Sequence, residues 1–228
     1  MCLRVRDYKL EYNLSSVRLS VILDGVLMAR VFQLVGGHLA LDFANTLDFR
    51  YVPEQRIELL SSYEELLKFC RESGIITAHQ ARKLLTSTSK SSARRAFKRA
   101  IELRETLYFL FSSVAGGHRA KRGHLRAFNR FLEHARVADR VVWRERKLIR
   151  AHRNPAETPD GPLWPVIDAA ASLLTSSDCR YVCECGDNTC RWLFLDRSKN
   201  HSRRWCDMRV CGNRSKARRF YARLRARA

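Results

Sequence analysis

Four cysteines late in the chain constrain its fold more than any other feature. Cys185 and Cys190 have four residues between them, Cys206 and Cys211 repeat that spacing, and fifteen residues separate the pairs. Two thiol pairs, each across a tight turn, suit a tetrahedral ion held by four thiolates. A closed four-ligand site staples a fold and leaves no open position for chemistry. The reading is a structural Zn2+ on Cys185, Cys190, Cys206 and Cys211, with buried free thiols or a redox disulfide pair as the alternatives. Cys2, Cys70, Cys179 and Cys183 are read as non-ligands. Cys183 would share a strand face with Cys185, but only Cys185 enters the turn.

The spacer agrees with such a module. Trp192 to Asp196 reads as a strand, DRSKN as a turn and RRWC as a returning strand. The second pair then opens a helix, whose first-turn amides and dipole favour thiolates. From Ala217 onward, Phe220, Tyr221 and Leu224 follow at i+3, i+4 and i+7, which makes one apolar stripe. Cations occupy the rest of that helix. From Arg180 to the end, 14 Arg and Lys face 4 Asp and Glu, so about half of the chain's net charge of +20 lies in its last fifth. An excess of this size calls for an anionic partner. Arg203, Arg204, Arg214, Lys216, Arg218, Arg219 and Arg223 are the candidate contacts to nucleic acid. DNA is the first reading and RNA the alternative, since single-strand readers stack bases on exposed aromatics. Trp192, Trp205 and Tyr221 could serve, but each also suits a core.

Upstream, helical signals dominate. Ser61 with Glu64 reads as a capping box, with Gly74 as the stop, and Leu66, Phe69 and Cys70 share a face. Thr77 with Gln80 repeats the start signal. Ala93 to Phe111 holds helical spacing over about five turns, and Gly116-Gly117 ends it. Another helix covers His124 to Ala135 with Leu125, Phe128 and Leu132 inward. VVWRERKLIR reads as a strand, and Trp164 to Thr175 as a helix. Val31 to Phe43 reads as a strand, a turn at Gly36-Gly37, and a second strand or a helix start. The expected fold is α+β: a mostly helical N-terminal domain with a few short strands, then a small zinc-stapled β-hairpin plus helix. The expected divisions are an extension over 1–27, a first domain over 28–178 and a finger over 179–228. Met28 reads as the natural start of translation.

No catalytic set is evident. The histidines at 38, 79, 118, 124, 134 and 152 lack ligand spacing, and there is no nucleophile elbow or phosphate loop. Asp42 and Asn45, in LDFANTLD, form a candidate small-ligand pocket. Turn and capping chemistry explains them more simply, because Asn and Asp bond nearby backbone. The chain is read as a non-enzyme; a small-molecule-binding or enzymatic first domain is the second alternative. The apolar stretches fall short of a membrane span. The N-terminus makes a poor signal peptide, and clustered thiols suit a reducing compartment, so the expected location is the cytoplasm.

The same residues carry a resemblance. CGDNTCRWLFLDRSKNHSRRWCDMRVCGNRSKARRFYAR resembles the CGNR zinc finger, whose motif is Cys211-Gly212-Asn213-Arg214 here. HLALDFANTLDFR and the helices behind it resemble the ABATE domain that usually precedes this finger in bacterial proteins. The resemblance covers most of the chain from Met28 and implies a bacterial, stress-responsive transcription regulator. It implies zinc on Cys185, Cys190, Cys206 and Cys211. Cys183 and the extension depart from the pattern. A homodimer and a small-molecule effector of the first domain are further expectations.

Overall fold

The computed structural model describes residues 22–23, 26–27, 32–136, 139–152 and 154–226. Met28, Cys2 and most of the expected extension lie outside these. Residues 1–31 form a unit of their own, in which β1 (Ile22–Leu23) pairs antiparallel with β2 (Val26–Leu27).

The second unit runs from Phe32 to Ala228. Its framework is helical: α1 (Leu39–Ala44), α2 (Tyr63–Glu72), α3 (Ala78–Ser87), α4 (Lys90–Ala115), α5 (Arg122–Arg136) and α6 (Trp164–Thr175). The start signals explain most of these boundaries. Thr77 and Gln80 make both bonds of a capping box, and Ser89 caps α4. For α2 the cap is Ser62, bonded to the Glu65 amide, one residue later than expected. SSYEE contains the capping spacing twice, and the later copy lets Tyr63 and Leu66 turn into the core. Gly74 follows α2 at φ +78, a conformation that suits glycine.

The core lies between α1, α2, α4 and α6. Leu41, Phe43, Phe69, Leu103, Leu107, Phe111, Val166 and Ile167 are buried in it. On α5, Phe128 and Phe131 are buried, whereas Leu125 is exposed, contrary to the expected inward face.

Every sheet among the described residues has two strands. β3 (Leu47–Asp48) pairs with β4 (Ile57–Glu58). The single strand expected over VVWRERKLIR is a hairpin, β5 (Asp139–Arg144) with β6 (Lys147–His152). Its two-residue turn is Glu145-Arg146, at φ 48 and 63. Such turns usually carry Asn-Gly or Asp-Gly, so charged residues there gave no turn signal.

β7 (Val182–Glu184) pairs antiparallel with β8 (Leu193–Leu195), joining Val182 to Leu195 and Glu184 to Leu193. This corrects the expected pairing of the WLFLD strand with RRWC. The Cys185–Cys190 turn closes the hairpin instead, and 203–206 is irregular. Strand alternation gives β8 two buried faces. Leu193 and Leu195 enter the helical core, while Phe194, with Trp192 ahead of the strand, packs against the four cysteines. The chain ends in a π-helical turn, Met208–Gly212, followed by α7 (Asn213–Arg225). No helix among the described residues is long and apolar enough to cross a membrane.

Candidate metal centre and basic helix

The four cysteines of the paired motif converge. Cys185 closes β7, Cys190 ends the turn after it, Cys206 precedes the π-turn and Cys211 lies inside it. All four are buried, and their sulfurs lie within 4.8 Å of one another. Sγ of Cys206 is 3.6 Å from Sγ of both Cys190 and Cys211. A disulfide needs about 2.05 Å. Four sulfurs about 2.3 Å from a tetrahedral ion stand about 3.8 Å apart. The donor set and its spacing therefore fit a tetrahedral thiolate metal site. Cys183 lies on β7, half-buried, outside the cluster, and Cys70 and Cys179 are also free thiols elsewhere.

The close approach of the four sulfurs splits their acidities, lowering Cys185 and Cys211 and raising Cys190 and Cys206. The Cys185 thiol is held well below its usual range by hydrogen bonds from Cys190, then from Cys206 and Cys211. Cys190 and Cys206 are pushed up in turn, first by that same interaction with Cys185. Arg214 places Nη2 3.5 Å from Sγ of Cys211.

Asp187 ties the metal-site turn to α7. Its carboxylate is fully buried, and it accepts from the Thr189 amide at 3.0 Å and the Thr189 hydroxyl at 2.7 Å. Arg214 Nε reaches its other oxygen at 3.1 Å, and Arg218 Nη1 bonds at 2.9 Å. Burial pushes the Asp187 carboxyl up, but Thr189, Arg214 and Arg218 outweigh it and hold the group below its ordinary value. Asp187 was not among the residues singled out from sequence. Its signal was an acidic residue between two ligands in a strongly basic segment.

The candidate nucleic-acid contacts divide accordingly. Arg203 is exposed as a residue, but its guanidinium is held by the protein: it bonds the Trp205 and Cys206 carbonyls and lies 4.6 Å over the Phe194 ring. Arg214 and Arg218 are committed to Asp187. Arg204 is exposed and sits 5.6 Å over Trp205, beside a shallow groove that Ser202 and Met208 also line. Lys216, Arg219 and Arg223 are exposed. Among the described residues none of the three pairs with a carboxylate; Arg219 and Arg223 bond only carbonyls of their own helix.

Asp42 and Asn45 have structural partners. Asp42 accepts from the Gly36 amide at 2.7 Å, and burial raises its pKa to about 6. The Asn45 side chain bonds both the N–H and the C=O of Leu193, each at 2.8 Å. Trp192 adds a bond to the Leu47 carbonyl, and Tyr108 one to the Arg191 carbonyl. These contacts join the cysteine hairpin to α1 and α4.

Two family models match the chain. The ABATE model, described as "Putative stress-induced transcription regulator", covers residues 37–177. The chain belongs to the ABATE family. The CGNR zinc finger model covers residues 182–224 and takes in all four clustered cysteines and α7 up to Leu224. A search of the curated proteins finds no match. The two family regions meet near residue 180, yet packing does not divide there, since β8 serves both cores.

Proposed function

We propose that this chain is a DNA-binding transcription regulator whose finger is folded by zinc and whose phosphate contacts lie on α7. The observation that carries the reading is the cation row Lys216, Arg219 and Arg223, exposed on a helix with six cations and no carboxylate. That helix is seated on the four-cysteine site through Asp187, so the row stands at a fixed place on the protein. Cations held in position neutralise phosphates at low entropic cost and release counterions from the nucleic acid. Arg204 extends the same chemistry beyond the helix. Zn2+ bound by Cys185, Cys190, Cys206 and Cys211 would hold the turn and the base of α7; its part is structural. The residues of the first domain support a scaffold or sensor role and not catalysis, because Asp42 and Asn45 are spent on backbone contacts. The reading places the protein in a bacterial cytoplasm, where thiols stay reduced.

Selection of bound sequences from a random duplex pool at about 150 mM salt tests the proposal, since weak electrostatic binding is suppressed there. An enriched motif is expected, and its symmetry reports whether the protein binds as a dimer. Retention without enrichment at any salt removes the regulator reading.

A further inference from the structure

The apolar stripe of α7 does not enter a core. Phe220 is 53% exposed, Tyr221 61% and Leu224 47%. The helix docks through Arg214 and Arg218 instead, which turns the stripe out to solvent. Phe220 and Tyr221 meet edge to face with centroids 5.6 Å apart, so each ring keeps an open face. Lys216 precedes Phe220 by one helical turn, and Arg219 and Arg223 form the neighbouring row; residues four apart on a helix are adjacent. Aromatic faces and unpaired cations therefore lie side by side on one exposed helix.

We infer that this face binds single-stranded nucleic acid, with bases stacked on Phe220 and Tyr221 and phosphates paired with Lys216, Arg219 and Arg223. The inference rests on the nucleic-acid part of the reading above: it gives the α7 face a preference for single strands over a mixed-sequence duplex, while a specific duplex site remains a separate property that the selection reads. An occupant must cover apolar surface and bring negative charge together. A duplex supplies the charge but keeps its base faces stacked internally, and the major groove offers little apolar surface beyond the thymine methyl. A second copy of this helix supplies the apolar surface but sets two cation-rich helices against each other. A single strand offers both, because every base has a π-face and every linkage a phosphate. Trp192 and Trp205 do not compete for this role: Trp192 is buried against the cysteines, and Trp205 is half-buried.

The test uses the full zinc-loaded chain and fluorescence anisotropy at about 150 mM salt, with a labelled mixed-sequence single strand of about 15 nucleotides, as DNA and as RNA, and the matching duplex. The single strand is expected to bind about 10-fold tighter than the duplex, and Phe220→Leu and Tyr221→Leu should each weaken it about 10-fold. Leucine keeps the apolar character and removes the π-face, and both positions are exposed, so fold and zinc content should stay unchanged. The DNA and RNA arms identify which strand chemistry is preferred. Equal or tighter duplex binding overturns the inference and leaves the regulator reading standing. So does single-strand binding that the leucine variants do not alter. Sedimentation showing a dimer that Phe220→Ser dissolves also overturns it, because the stripe is then covered by a second copy. Binding of neither form, even at about 20 mM salt, removes the nucleic-acid reading itself.

Discussion

The carboxamide of Asn45 brackets the peptide group of Leu193: Oδ1 accepts its N–H and Nδ2 donates to its C=O, both at 2.8 Å. One side chain thus takes the place of a neighbouring strand on the open edge of β8. Both backbone groups are buried, so they have no access to compensating water. Asn45→Ala is expected to destabilise the chain by about 2–4 kcal/mol, the cost of two unpaired buried groups. Asn45→Asp should do no better at neutral pH, since a carboxylate cannot donate. Urea unfolding measures both; a loss under about 0.5 kcal/mol for Asn45→Ala would contradict the bracket.

Because β8 is common to both cores, metal removal should reach the ABATE region. Chelation of the purified protein is expected to lower the melting temperature of the whole chain in one transition. Calorimetry with and without chelator reads this directly. A finger that melts separately, with the remaining transition unmoved, would mean that the shared strand does not couple the two.

Asp187→Asn keeps the size of the side chain and removes the charge that holds Arg214 and Arg218. The expected result is faster amide exchange over 214–225 with zinc content retained. Breaking a buried ion pair costs about 3–5 kcal/mol, and exposure of Arg218 reduces this to about 2 kcal/mol here. Unchanged exchange in α7 would show that the helix is seated by something else.

Asp42 gives a pH dependence of definite sign. Its pKa is raised by burial, against the bond from Gly36, from 3.8 to about 6. The folded state therefore prefers the protonated form. The favourable contribution is complete below about pH 4 and is lost as the pH rises through 6. Asp42→Asn removes the charge that the fold disfavours, so it should stabilise the chain by about 1–2 kcal/mol at pH 7.5, with the gain fading toward pH 4. Melting temperatures of both proteins across that range check it; a constant difference would mean that Asp42 does not titrate there.

The cation row can be separated from the clamp. Replacing Lys216, Arg219 and Arg223 with alanine should lower the slope of log affinity against log salt by about 2–3, with stability unchanged. Arg214→Ala should instead lower stability, because it leaves Asp187 buried beside one cation fewer. Neutralising Arg214 and Arg218 to probe phosphate contacts, as sequence alone would suggest, would therefore mix two effects.

The metal site was legible in the sequence because its information is local. Two repeated spacings set the turns, and four thiols make a donor set that fits a tetrahedral metal site. The capping pair Thr77 and Gln80 and the long period of α4 were legible for the same reason: each depends on residues within a few turns. The hairpin at Glu145-Arg146 was hidden because its turn conformation is imposed on residues that do not prefer it.

What only the tertiary structure decided is which surface each element turns toward another. Sequence established that α7 has an apolar stripe and a cationic remainder, but a helical period says which residues share a face and not which face docks. The buried charge of Asp187 settled that by drawing Arg214 and Arg218 inward and leaving Phe220 and Tyr221 in solvent. The continuous apolar run Trp192 to Leu195 likewise marked a strand, while its double burial depends on Asn45, which is 148 residues from Leu193 along the chain. Composition and period determined the elements and the donor set. Long-range hydrogen bonds and the buried carboxylate of Asp187 with its two arginines, which no local pattern encodes, determined how they face one another.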